Sequence, residues 1–148
     1  MGEGRVIKDD LSLDLLVREL AEEWGREGYG AVCMFIGVVK GRVEGKEVKS
    51  LEYEAYEPYS SEILRRIAEE EEGGEIAEVR IYHAVGALRP GDISLVISVV
   101  GLSREVAIEK LRKVLERVKH EVPIFKLERR EDGDYWVIGD GKRERRAD

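Results

Sequence analysis

Apolar residues recur along this chain in two rhythms, helical and strand-like, and their alternation outlines the fold. Leu13, Leu16, Val17, Leu20 and Ala21 repeat at helical spacing behind Ser12, a residue suited to cap a helix running to about Trp24. GREGYG breaks that pattern. Residues 31–39 form a short apolar run bounded by glycines and read as a central strand. Residues 40–47, KGRVEGKE, hold two glycines and five charges and read as a mobile loop. VKSLEYEAY follows as an imperfectly alternating strand with one dry face. Pro58 and Ser60 open a second helix over residues 60–72, with Ile63, Leu64, Ile67 and Ala68 on its apolar side. The four glutamates at 69–72 read as a solvated end that frays, because carboxylates oppose the dipole at a helix C-terminus. Gly73-Gly74 stops the helix.

Two further strands, 77–83 and 93–100, flank AVGALRPGD, where Pro90-Gly91 signals a turn. Ser103 can cap a third helix over 104–119, with Ala107, Leu111, Val114 and Val118 as its stripe. Pro123 prevents the helix from continuing. Strands over 124–130 and 135–138 then pair around EDGD, a hairpin-like turn. The order α-β-β-α-β-β-α-β-β contains no Rossmann unit and no glycine-rich phosphate loop. It predicts an α+β single domain over residues 1–138, followed by a polar C-terminal tail over 139–148. A mixed or antiparallel sheet with its three main helices on one side is the physical expectation, and a ferredoxin-like arrangement the nearest alternative.

Charge narrows the function classes. The 148 residues carry 25 Lys and Arg against 32 Asp and Glu, a net −7. That disfavours non-specific nucleic-acid binding, which depends on neutralising phosphates, yet leaves room for a local basic pocket. No apolar run approaches the roughly 18 to 20 residues that span a bilayer. MGEGRVIKDD lacks the apolar core of a secretory signal, so cytoplasm is the expected location. Cys33 is the lone cysteine, which excludes an internal disulfide and a multi-cysteine zinc site; it is expected inside, as a small hydrophobe. His83 and His120 form no metal-ligand motif, and His83 reads as a satisfied strand-end histidine. No metal and no cofactor are expected.

The remaining chemistry is cationic and concentrated in residues 103–128. Arg104 lies in the first turn of the third helix, where the dipole disfavours a cation. It makes sense there if it and the helix N–H groups share an anion such as phosphate; otherwise it is simply solvated. Lys119 can snorkel from the apolar stripe or complement the helix C-terminus. Lys126 and Glu128 share one face of their strand, so the carboxylate could orient the ammonium or merely pair with it at the surface. Such a set can orient an anion, stabilise an oxyanion, or use a lysine as base or nucleophile.

Taken in order, GAVCMFIGVVKG, LEYEAY before a helix, IYHAVGALRPGD before an apolar strand, and VKHEVPIFKLE resemble the large, catalytic subunit of molybdopterin synthase. The resemblance covers about residues 28–138. It implies a sulfurtransferase of molybdenum cofactor biosynthesis. In that family a homodimer binds two small ubiquitin-like sulfur carriers, making a heterotetramer. The carrier's C-terminal Gly-Gly thiocarboxylate enters a pocket, and cyclic pyranopterin monophosphate receives two sulfurs to become the molybdopterin dithiolene. By motif position the family's essential lysines fall on Lys119 and Lys126, its anion-binding arginine on Arg104, its acidic neighbour on Glu128 and its aromatic wall on Phe35. Pro123, ending the helix between the lysines, would help shape the pocket for the carrier tail. Continued helix would instead hold them about 10.5 Å apart along the axis.

The chain departs from that pattern at Ser103, where the family usually has histidine, and at Lys40, where it has arginine. Serine cannot titrate near neutral pH, and lysine keeps the charge without the guanidinium fork. Arg42 is a second candidate to reach the phosphate region beside Lys40. Tyr59 occupies a position often held by methionine. The rival reading from another class is a non-enzymatic docking module for a ubiquitin-like carrier.

Overall fold

The apolar segments fold into two sheets rather than one. The structure, a computed structural model, describes residues 2–8, 10–138 and 141–147. In chain order these form β1 (Glu3–Ile7), α1 (Leu13–Gly25), β2 (Ala31–Val38), β3 (Arg42–Val43), β4 (Lys46–Ala55), α2 (Tyr59–Glu71) and β5 (Ile76–Ala84). There follow β6 (Gly86–Leu88), β7 (Ile93–Gly101), α3 (Arg104–Glu121), β8 (Ile124–Arg130), β9 (Gly133–Ile138) and β10 (Lys142–Arg145). One sheet has the order β1-β5-β7-β2, with β1 parallel to β5 and the other pairs antiparallel. The other has the order β10-β9-β8-β4-β3, with β6 also pairing β4, and is antiparallel throughout. The α+β class and three main helices are as predicted.

The helices do not share one side. α2 and α3 cover Ile81, Ile97 and Val99, whereas Leu16 and Leu20 of α1 pack on Tyr82, Val96 and Val100 of the opposite face. The reason is β7: Ser94 through Gly101 are all buried, so both faces of this strand need cover.

Several local expectations also change. Residues 40–47 are not a featureless loop but include a tight β3–β4 hairpin, with Glu44 and Gly45 at φ 53° and 78° in its two-residue turn. The imperfect alternation of β4 has its cause in a register shift between Val48 and Ser50, which lets Val48, Leu51 and Tyr53 all be buried. β1 has too few apolar residues to announce itself. Its Gly4 lies so close to α2 that any Cβ there would collide with the Leu64 carbonyl. Within the polar tail, Lys142–Arg145 forms β10 on β9, beyond residues 139–140, which lie outside the described set.

Two capping expectations separate. Ser12 does accept a hydrogen bond from the Leu15 amide at 3.3 Å, whereas Ser103 makes no side-chain cap bond. Ser60 lies in the first turn of α2, as expected, and is wholly buried. Of the glutamates that end α2, Glu69 and Glu70 are exposed as expected, but Glu71 is buried and Glu72 only partly exposed. Glu71 holds Lys110 at 2.9 Å, Lys113 at 3.3 Å and Arg117 at 2.9 Å, all from α3. Glu70 also meets Arg117, and Glu72 accepts the Val79 amide at 2.8 Å. Tertiary cations thus answer the charge that the helix dipole disfavours.

Candidate active site

Lys119 and Lys126 meet where α3 gives way to β8. The helix reaches Glu121, Val122 turns extended, and the chain reverses at Pro123. Ser60 of α2 holds this turn by donating to the Pro123 carbonyl at 2.8 Å. β8 then runs between β4 and β9, placing Lys126 across from Tyr53 on one side and Val137 on the other. The result is a cavity of about 450 Å³. Its cations are Lys40, Lys119, Lys126 and Arg143, its carboxylate is Glu128, and its apolar wall includes Phe35, Leu51, Tyr53, Leu95 and Val137. A cleft of about 70 Å³ shares both lysines and extends toward Val118, Val122 and Ile124.

Aromatic rings connect the lysine to the core. The Lys126 ammonium lies 5.5 Å from the centroid of the Tyr53 ring, within cation–π range. Tyr53 meets His83 edge-on at 5.2 Å between centroids. Burial pushes the His83 imidazole down, against its bond to Ala84 and with help from the Lys126 and Lys119 charges, to about 4. The ring is therefore neutral near pH 7. Its Nδ1 lies 2.8 Å from the Ala84 carbonyl, which can only accept, so Nδ1 carries the proton and Nε2 is left as the acceptor. Burial likewise raises the Tyr53 phenol, opposed by Ser94 and reinforced by the Glu128 charge.

Glu128 is almost wholly buried. Arg143 grips it through Nε at 2.9 Å and Nη2 at 3.1 Å, with Arg130 at 3.7 Å. Cys33 is only partly buried, and burial raises its thiol, which disfavours a thiolate nucleophile at neutral pH. Among the described residues no group of His, Cys, Asp or Glu is placed to hold a metal ion. No described helix is long and apolar enough to cross a membrane.

The MoaE protein family model matches residues 6–121. The chain is 45% identical over 109 residues to the molybdopterin synthase catalytic subunit of Bacillus subtilis, covering 73% of this chain and 69% of that protein. Its identity to the subunit of the same description from Synechococcus elongatus is 37%, covering 88% and 81%. A crystal structure of molybdopterin synthase from Staphylococcus aureus superposes with a TM-score of 0.80 at 30% identity, covering 92% of this chain and 97% of that one. The chain belongs to the MoaE protein family.

The MoaE match ends at the last residue of α3, so Lys40, His83 and Lys119 fall within it while Lys126, Glu128 and Arg143 lie beyond. Of the residues expected from sequence, Lys119, Lys126, Lys40, Phe35 and Glu128 line this one cavity. Pro123 shapes it from behind through the turn. Arg42 sits exposed on β3 and does not line it. Ser103 and Arg104 stand at the start of α3, fifteen residues and about 22 Å along the axis from Lys119, so one MoaE protomer cannot bring both to the same pocket.

Three lining residues went unassigned in the sequence. Tyr53 belongs to the dry face of β4, but alternation does not distinguish a core tyrosine from a pocket wall. His83 shares a strand face with Val79 and Ile81, a signal only of inward placement. Arg143 lay in the supposed tail, where Gly139-Asp140-Gly141 was an unused turn signal.

Proposed function

We propose that this chain is the catalytic subunit of a molybdopterin synthase. It moves sulfur from the thiocarboxylated C-terminus of a small ubiquitin-like carrier to cyclic pyranopterin monophosphate, forming the dithiolene. The observation that carries this reading is the convergence of Lys119, Lys126 and Lys40 in one cavity with an apolar wall. An extended Gly-Gly tail has no side chains and suits a narrow passage, while the ammonium groups suit both the thiocarboxylate and the negative charge that develops as its acyl carbon is attacked. Hydrolysis of the acyl link then returns the carrier as a carboxylate. The buried, neutral His83 leaves the positive field to the lysines.

Arg104 enters this reading from a second copy of the chain. Its distance from Lys119 along α3 excludes service to its own protomer's cavity, whereas a homodimer could present one protomer's helix start to its partner's lysines. Ser103 would arrive with it, offering a hydroxyl where the family usually has an imidazole. Two carriers on such a dimer give the heterotetramer.

The test is conversion of cyclic pyranopterin monophosphate by the purified chain with thiocarboxylated carrier. Dithiolene product in proportion to the thiocarboxylate supplied is the expected result. Tight carrier binding without product would overturn it and leave the docking module.

A further inference from the structure

We propose that the small cleft behind the cavity seats the water that hydrolyses the acyl link, with His83 Nε2 as the acceptor that orients it. The proposal rests on the sulfur-transfer reading for its chemistry, while the cleft itself is a feature of the fold.

The cleft, about 70 Å³, shares His83 and Lys119 with the larger cavity and is otherwise walled mainly by Val118, Val122, Ile124 and Val137. A water takes up roughly 30 Å³ of liquid, so the cleft has room for water but not for a fused-ring pterin. Water held in such a place needs at least two polar partners. The walls supply a matched pair, because the Lys119 ammonium only donates and an unprotonated imidazole nitrogen accepts. The backbone sets the tautomer: the Ala84 carbonyl takes the Nδ1 proton at 2.8 Å, which leaves the lone pair on Nε2. The edge of the ring contact with Tyr53 fixes its plane. His83 is 5% exposed, yet among the described residues the buried side-chain polar atom without a partner is Ser98 Oγ. Nε2 makes no hydrogen bond to a described residue, so it is not sealed in the core but opens on the cavity. Burial and the lysine charges keep that nitrogen unprotonated near pH 7.

A water that donates to Nε2 and accepts from Lys119 has one lone pair left for attack. Its oxygen bonds to the acyl carbon and the carbon–sulfur bond breaks, sending the electron pair to the pterin sulfur as a thiolate. One proton moves to Nε2 and then to bulk water through the cavity mouth. The other leaves as the new carboxyl group ionises. The thiolate and carboxylate formed in this step stand beside the transient imidazolium, so its charge does not arise alone among ammonium groups.

The test is a single turnover of the chain with thiocarboxylated carrier and cyclic pyranopterin monophosphate, quenched at intervals, with the carrier species followed by intact mass. His83→Phe keeps the bulk of the ring without an acceptor. In it, decay of the carrier–pterin acyl adduct to free carboxylate is expected to slow at least about tenfold more than adduct formation, so the adduct accumulates. His83→Gln, which offers an amide oxygen, should fall between. Carboxylate released by His83→Phe at the wild-type rate, or both steps slowed alike, overturns the proposal and leaves His83 a packing residue. Wild-type protein that forms neither adduct nor product overturns the sulfur-transfer reading, and the proposed step with it. A readout independent of turnover is the crystal structure of the wild-type chain, in which a water should lie within about 3.2 Å of His83 Nε2 and be lost in His83→Phe. A wild-type cleft without that water overturns the proposal whether or not the pair makes product. If the phenylalanine variant does not fold, His83→Gln and the wild-type crystal carry the same comparisons.

Discussion

The Ser60 hydroxyl, buried in the first turn of α2, donates to the Pro123 carbonyl at 2.8 Å and accepts from the Tyr56 amide at 2.9 Å. One side chain thus ties the start of α2 to the turn that separates Lys119 from Lys126. Ser60→Ala would leave two polar groups without their partner in a dry setting, at a cost of about 1–3 kcal/mol. The expected outcome is a lower midpoint in chemical denaturation together with lost turnover, because the turn sets where Lys126 enters the cavity. Full turnover in a measurably destabilised variant would show that the turn holds its geometry without this bond.

Lys119→Ala and Lys126→Ala should each reduce turnover at saturating carrier by at least about tenfold, roughly 1.4 kcal/mol of transition-state stabilisation. Lys→Arg at either position should recover less than its charge alone suggests, because a guanidinium cannot give up a proton and is too broad for a compact amine's place. Binding and unfolding controls separate chemistry from folding. Two folded alanine variants with wild-type turnover would return the chain to the docking-module reading.

Hybrid dimers test the placement of Arg104. Arg104→Ala and Lys119→Ala homodimers should each be weakly active. A heterodimer of the two pairs the intact Arg104 of one protomer with the intact Lys119 of the other, and should regain about half of wild-type turnover from its one complete cavity. Hybrids no better than either parent would sink the cross-protomer assignment. Light scattering of the isolated chain, expected at twice the monomer mass, is the prior check.

The His83 imidazole is held down to about 4 in the folded protein, from an ordinary value of 6.5. Below pH 6.5 the unfolded chain therefore binds a proton that the native state refuses. The stability is fully present above pH 6.5 and is lost progressively as pH falls to about 4, at up to about 1.4 kcal/mol per pH unit. Urea midpoints between pH 7 and 4 should slope accordingly, and His83→Gln should flatten that slope. An unchanged slope would assign the pH dependence to other groups.

Glu71 should reveal itself at lower pH. Burial pushes its carboxyl up, but hydrogen bonds from Lys110 and Arg117, Lys110's charge and Lys113 outweigh that and bring it to about 2. Its contribution is full above pH 4.5 and lost as pH falls toward about 2. Glu71→Gln, which strips three cations of α3 of their shared partner, should cost about 3 kcal/mol at neutral pH and remove that acid-range loss. Denaturation of the pair at pH 7 and pH 3 measures both.

The chain's own order of residues determined the elements with strong local signals. The helical stripes behind Ser12 and Ser103, the Arg89–Asp92 turn around Pro90-Gly91, and the stop at Gly73-Gly74 all follow from local conformational preferences. So does the break at Pro123, and the motif order around it was enough to mark Lys119, Lys126, Lys40, Phe35 and Glu128. Local preference says nothing about what arrives from far along the chain. Only the tertiary structure brought Lys110, Lys113 and Arg117 to the glutamates ending α2, and so turned an unfavourable helix end into an interhelical clasp. It also placed α1 on the second face of β7 and recruited β1 by a backbone approach that only glycine allows. Sheet pairing made Arg143 a wall of the cavity, since cross-strand register, not sequence proximity, carries a residue of the polar tail to Glu128. The same rigid length of α3 that aligns its apolar stripe separates Arg104 from Lys119, a distance that spacing within the motifs does not express. Charges act through space at a few ångströms, and the fold alone decides which of them are neighbours.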